Sequence, residues 1–240
     1  MTARWKFWLI TLAALLGVVT TLALGRWQLS RAAQKQAMQA SIDAKAAAPR
    51  LDGRALALLL DPMRELHRGV SLRGRWITGR TVFMDNRPMS GKPGLYVVTP
   101  LKLEDSAAVI LVERGWLARN FVDRTSVPRL ETPEGVVEIQ GRIAPPPSKL
   151  YELGGPEAGP IRQNLAIAQF SAETGLPLLP VWVQQTGASS DGLLREWPLA
   201  NTGVDKNYGY AVQWFGLSAL IAILYVWFQI VRRFIYPRRA

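Results

Sequence analysis

Apolar positions fall along this chain in three textures, and each predicts a different kind of element. The first is continuous. Phe7 to Leu24, FWLITLAALLGVVTTLAL, is an 18-residue run without a charge, and Tyr208 to Val231, YGYAVQWFGLSALIAILYVWFQIV, is one of 24. At ~1.5 Å per residue the shorter run reaches ~27 Å as a helix, enough to cross a bilayer core, and the longer crosses with tilt to spare. Aromatic residues bracket both: Trp5, Phe7 and Trp8 against Trp27, and Tyr208, Tyr210 and Trp214 against Trp227, Phe228, Phe234 and Tyr236. Interfacial belts account for such placement. A cleavable signal peptide is the alternative for the first run, with Arg4 and Lys6 as its basic end. The run exceeds the usual ~7–15 residues, and TLALG offers no A-x-A site, so an uncleaved anchor is expected.

The second texture, RWQLSRAAQKQAMQASIDAKAAA at residues 26–48, is rich in helix formers, so the first span is expected to continue outward until Pro49 and Asp52-Gly53 break it. The third begins after a short helical patch around Leu56 to Leu66. GVSLRGRWI, RTVFMD, GLYVVTPLKL, AAVILVERGWL and GVVEIQGRI are rich in β-branched and aromatic residues and are separated by turn formers. An exposed Pro- and Gly-rich loop is expected at 144–160, a short helix at 167–175 ending on a glycine, and a further strand, LPVWVQQ, at 179–185. The predicted fold is a membrane protein in which two transmembrane helices flank an α+β, mostly antiparallel β extramembrane domain, a sheet or small barrel. Its parts are helix 7–24, domain 25–207, helix 208–231, and tails 1–6 and 232–240.

Charge settles the expected orientation. All 18 acids lie in residues 25–207 with 23 of the 29 Lys and Arg, so this region carries only +5 of the net +11. The other positives, Arg4, Lys6, Arg232, Arg233, Arg238 and Arg239, occupy acid-free tails beside the apolar runs. Such charge sets topology and makes no basic stripe for nucleic acid, so no nucleic-acid partner is expected. Four arginines after the second run, against Asp205 and Lys206 before it, place both termini in the cytoplasm and the domain in the periplasm of a bacterial inner membrane.

Composition removes most chemistry. Cysteine is absent and His67 is the single histidine, so thiolate catalysis and Cys/His zinc sites lack their ligands, and copper finds too few. His67, in ELHRGV, is a candidate haem ligand or proton carrier, or simply a strand-edge histidine. No G-x-S-x-G or S-x-x-K accompanies it, Glu104-Asp105 and Glu131 to Glu134 fall in turns, and GKPG at 91–94 opens no helix. A binding protein is expected, not an enzyme, and no metal site. What remains are arginine and aromatic clusters: Arg26-Trp27-Gln28 with Arg31 and Lys35, DNRP at 85–88, ERGW at 113–116 and YAVQWF at 210–215. They suit carboxylates such as haem propionates, a planar ring or a partner helix, or else salt bridges and interfacial anchoring.

Taken in order, LGRWQLSRAAQK (24–35), MDNRP (84–88), GLYVVTPL (94–101), VILVERGWL (109–117), IQGRI (139–143), TGLPLLPVWVQQ (174–185) and NYGYAVQWFGLSA (207–219) give a chain that resembles the Surfeit locus protein 1 family of cytochrome c oxidase assembly factors. The resemblance implies a two-span protein whose large outer loop aids maturation of the oxidase's catalytic subunit around haem a insertion. Haem a would be a transient cofactor, and the partners that subunit, other assembly factors and the lipid bilayer. Carried over by position, Arg26, Trp27, Gln28, Arg31, Asn86, Arg87, Arg114, Trp116, Tyr210, Gln213 and Trp214 are the expected partner- or haem-binding residues. Gly94, Tyr96, Thr99, Pro100 and Gly115 also fall on the pattern. Asn207 stands where many members carry histidine, and Asn164 where aspartate is common.

Overall fold

The computed structural model describes residues 3–120, 130–151, 159–188, 191–197 and 203–235. The outer part of the 144–160 loop, at 152–158, and the arginines Arg238 and Arg239 of the last tail lie outside the described residues. The chain divides into two compact units, Met1–Ala40 with Ala200–Ala240, and Ser41–Leu199.

The first unit is a pair of long helices. α1 runs unbroken over Ala3–Ala47 and ends just ahead of Pro49, whose ring disfavours helical backbone in the residue before it. The later helix, Val204–Tyr225, starts after Gly203 in the left-handed region (φ 54°) and widens into a π-helical stretch over Val226–Ile235. Both are long and apolar enough to cross a membrane, and only 6% of each apolar window is buried. Side chains so exposed fill no soluble core.

Small residues let the two helices approach. Gly17, Thr21, Gly25 and Ala32 recur at helical spacing on α1, facing Ala211, Phe215, Ser218 and Ile221. A Cβ at Gly25 would lie 2.6–2.9 Å from the Phe215 ring, so close packing requires the glycine. The Thr21 hydroxyl folds back to donate to Gly17 O at 2.8 Å, which satisfies it inside its own helix. Thr11 pairs with the Tyr225 hydroxyl at 3.0 Å, so the helices run antiparallel.

The second unit is a mixed sheet that closes on itself. Its strands are β1 (Gly69–Trp76), β2 (Val82–Met84), β3 (Gly94–Leu103), β4 (Val109–Ala118), β5 (Val136–Ala144), β6 (Ile161–Arg162) and β7 (Leu178–Gln185). Pairing follows β1-β5-β7-β4-β3, and the end of β3 returns to β1 through Gly74↔Leu103 to Trp76↔Leu101, which closes a five-stranded ring. A Cβ at Gly74 would run into Lys102 O where the ring closes. The other end of β3 carries β2, and β2 carries β6 in parallel. Helix α2 (Gly53–Ala57), capped by Asp52 Oδ1 on Ala55 N, overlaps only the start of the helical patch expected around Leu56 to Leu66, and a 3-10 turn at Pro62–Glu65 follows within that patch.

The expectation of a mostly antiparallel sheet is corrected here: the sheet is mixed. β7 lies parallel to β4 and antiparallel to β5, and β6 parallel to β2. The reason is the connection between β5 and β7. This long segment carries helix α3 (Ile167–Thr174) over the outer face of the sheet and brings β7 in between β4 and β5, which run in opposite directions, so β7 is parallel to one and antiparallel to the other. α3 also explains why β3 and β4 are buried on both faces. Leu72, Leu101, Ile110, Val112, Ile143 and Val183 fill the ring, while Val82, Met84, Val98, Leu111 and Trp182 pack outward against Phe170 of α3. The helix Val204–Tyr225 is α4.

Candidate functional site

Three of the polar residues on the helix pair form one network. Asn207 Nδ2 donates to Gln28 Oε1 at 2.6 Å, and Asn207 Oδ1 accepts from Lys35 Nζ at 2.8 Å. Both polar atoms of the asparagine are thus spent across the seam. Around this clamp, Trp27 and Tyr210 are more than half exposed, Arg26, Arg31 and Gln213 are exposed, and Trp214 is half-buried. Arg31 bonds Gln34 one turn on, at 3.1 Å. The seam residues fix the facing angle of each helix. At 100° per residue, Trp27 and Arg31 then share a flank with Tyr210, Gln213 and Trp214, level with the clamp, and Arg26 falls on the opposite flank.

In the β unit the expected residues turn inward. Asn86, exposed at φ 57°, makes the turn after β2, where Asp85 Oδ1 accepts its amide. Arg87 is 5% exposed; its fork donates to Ser148 O and Gln163 O, both at 2.7 Å. Its own carbonyl accepts from Trp116 Nε1 at 2.6 Å, so DNRP and ERGW meet at one hydrogen bond. Trp116 lies against Gly94, where a Cβ would clash with the indole, and packs with Met89 and Trp197. Arg114 is 1% exposed, pairs with Asp191 at 3.0 Å and stacks on Trp76 at 4.9 Å; Arg195 shares the same aspartate at 2.9 Å.

Between these groups lies a buried carboxyl that the motif reading passed over. Glu113 is 1% exposed, and burial pushes its pKa up to about 7. Oε2 accepts from Gln184 Nε2 at 2.9 Å, Gln184 Oε1 accepts in turn from Arg142, and Oε1 of Glu113 has no partner, nor has Nε of Arg87. A charged residue at a core-facing strand position beside Leu111 was the sequence signal for it. Gln184, Asp191 and Arg195 left no local signal, since their partners come from distant strands.

His67 sits apart, in the β unit, in the left-handed region at φ 73° with its backbone N–H on Ile143 O at 2.9 Å. Burial and the neighbouring Arg142 hold its imidazole below the ordinary value, so the ring is neutral near pH 7. His67 is not among the lining of the recesses beside Phe170, Trp76 or Gly79, and the Asn207 amide is occupied by its neighbours, so neither presents a ready axial ligand for haem. No group of three metal-ligating side chains occurs among the described residues.

A recess of about 620 Å³ lies between the Pro146–Lys149 strap and α3. Arg87 ties both its walls, and the Asn164 amide pairs with N–H and C=O of Leu150 at 2.8 Å each.

Fold and site define a class: a mixed β-ring unit together with an antiparallel pair of membrane-length helices, with arginine and aromatic clusters that brace it. The comparisons place it more closely. A model of the SURF1 family matches residues 15–219, and the chain belongs to that family. It is 29% identical over 227 residues to a SURF1-like protein of Rickettsia felis, covering 90% of this chain and 94% of the relative. To the human Surfeit locus protein 1 it is 27% identical over 238 residues, covering 88% and 74%. A SURF1-like protein of Drosophila melanogaster is 27% identical over 239 residues, covering 89% and 75%.

Proposed function

We propose that this protein is a bacterial inner-membrane assembly factor for a cytochrome c oxidase of the haem–copper type. Its two long helices span the bilayer with both termini cytoplasmic, and the β unit works in the periplasm. The factor holds the oxidase catalytic subunit, beside other assembly factors, during the stage at which haem a enters that subunit. It acts by binding and not as an enzyme.

The observation that carries this reading is the flank of the helix pair that gathers Trp27, Arg31, Tyr210, Gln213 and Trp214 level with the Gln28–Asn207–Lys35 clamp. Amphipathic rings and a guanidinium at the outer membrane interface suit a partner helix with its interfacial carboxylates. The occupied Asn207 amide favours a scaffold for the subunit over a carrier that ligates haem iron itself.

The test is a deletion strain complemented with Gln213→Leu or Trp214→Leu. Oxidase haem a absorbance should fall while the assembly factor stays at parental level, and the catalytic subunit should no longer co-purify. Normal oxidase spectra in the deletion strain itself would remove the oxidase from the proposal. Stoichiometric haem a on the purified parental chain would replace the scaffold by a haem carrier.

A further inference from the structure

Beside Trp76 the β unit has a second recess, about 540 Å³, with Trp76, Arg114, Glu131, Glu138, Gln185 and Asp191 among its lining. Two buried polar atoms belonging to that lining have no partner. Arg114 spends NH1 on Thr132 Oγ1 (2.7 Å) and NH2 on Glu131 O (3.3 Å) and Asp191 Oδ2 (3.0 Å), and its Nε is left over. Gln185 Oε1 is the other. One unmet donor and one unmet acceptor on the same recess are the complement of a peptide group, which offers one of each.

Charge narrows the choice of peptide. In a chain of net charge +11, Glu131 and Glu138 stand exposed on this rim, and Glu134 lines the adjoining recess of about 700 Å³, which shares Trp76, Thr132 and Pro133. Among the described residues none of the three enters an ion pair. The Asp191 charge, by contrast, is already divided between Arg114 and Arg195. Arg75, the cation of the adjoining recess, is held by Glu104 at 3.2 Å. The rim thus carries exposed carboxylates over a partly exposed indole, Glu138 also accepting from Ser71 Oγ at 3.4 Å and standing opposite Arg73 across the β1–β5 pair; on such a surface the aliphatic stem of a long basic side chain packs while its head meets carboxylates.

We propose that this recess docks a basic residue carried on an extended segment of a protein partner. The basic head meets Glu131 and Glu138, the stem lies on Trp76, and the peptide carbonyl and N–H meet Arg114 Nε and Gln185 Oε1. The site lies on the β unit and stands whether or not the oxidase reading does.

The experiment titrates the full chain in detergent micelles with acetyl-Gly-Arg-Gly-amide, and with the same peptide carrying Gln or Glu in place of Arg. The readout is the Trp76 indole N–H resonance, assigned by its loss in Trp76→Phe. The Arg peptide should give a saturable shift that weakens with added salt, and the Glu peptide none. Glu131→Gln and Glu138→Gln should each weaken binding about two- to fivefold, as for exposed ion pairs. Both residues are exposed, so neither variant threatens the fold, and circular dichroism verifies it. No saturable shift, equal binding of the Gln peptide, or unchanged affinity in both variants overturns the proposal.

Discussion

Trp116 Nε1 donates to the backbone carbonyl of Arg87 at 2.6 Å, and through that one bond the strand bearing ERGW holds the turn bearing DNRP. The contact is wholly buried, so its loss leaves a carbonyl without a partner in a site that water does not reach. Trp116→Phe removes the donor together with the part of the indole that lies against Gly94. It should cost at least about 1–3 kcal/mol, the penalty of one buried unsatisfied group, with the void beside Gly94 adding to it. Urea unfolding of the chain in detergent, followed by circular dichroism, measures this, and an unchanged midpoint would show that the ring's packing alone secures the turn.

Glu113 makes stability depend on pH in a direction opposite to most carboxylates. Its folded pKa is raised from the model-compound 4.5 to about 7 because burial disfavours the charged form. Between those values the native state binds the proton that the unfolded chain has released, so stability is fully present below about 4.5 and declines as pH rises through about 7. The loss is of the order of 3 kcal/mol, at 1.36 kcal/mol per pKa unit. Glu113→Gln should flatten the slope of unfolding free energy between pH 5 and pH 7.5, roughly the window set by the two pKa values. A variant with the parental slope would assign the titration to another group.

The strands were legible because their signal is local. β1, β3, β4, β5 and β7 each lie where β-branched runs between turn formers put them, and α3 ends at Gly175 in the left-handed region as expected. The two-residue β6 carries no pattern, and the parallel placing of β7 beside β4 is a property of the whole chain path. Arg87 and Arg114 illustrate the same limit at the level of sites. Sequence marks them as arginines beside aromatics, but whether such a group faces a ligand or its own fold depends on Ser148, Gln163 and Asp191, which lie far along the chain. Asn207 is the reverse case. An asparagine beside the second apolar run was plain in the sequence, and the structure supplies its physical content, an amide divided between Gln28 and Lys35.

The helix seam is testable because the chain has no cysteine. Gln28→Cys with Asn207→Cys sets thiols at the two ends of a side-chain contact of 2.6 Å, and a short thiol-to-thiol crosslinker that spans the shortened side chains should join the two helices in membranes in high yield. Adding Gly25→Val sets a branched side chain where even a Cβ would lie 2.6 Å from Phe215. The crosslinking yield should then fall severalfold, read as a mobility shift on non-reducing gels. An undiminished yield would mean that the seam repacks around the added volume.

Asn164 makes a finer claim, because it mimics a strand edge. Its Oδ1 accepts from Leu150 N and its Nδ2 donates to Leu150 O, both at 2.8 Å, so one side chain pairs with a whole peptide as a neighbouring strand would. Aspartate reproduces only the accepting half. With Asn164→Asp the Leu150 carbonyl loses its donor and faces a carboxylate, which repels it. Arg87 still ties the strap at Ser148, so the segment should loosen at its Leu150 end and stay fixed at the other. Hydrogen exchange distinguishes the two ends: the Leu150 amide should exchange about tenfold faster, matching the ~1.4 kcal/mol of one hydrogen bond, with Lys149 following and the β3 amides unchanged. Uniform acceleration through the β unit would instead make Asn164 a determinant of global stability, and the recess beside α3 would have no separate latch.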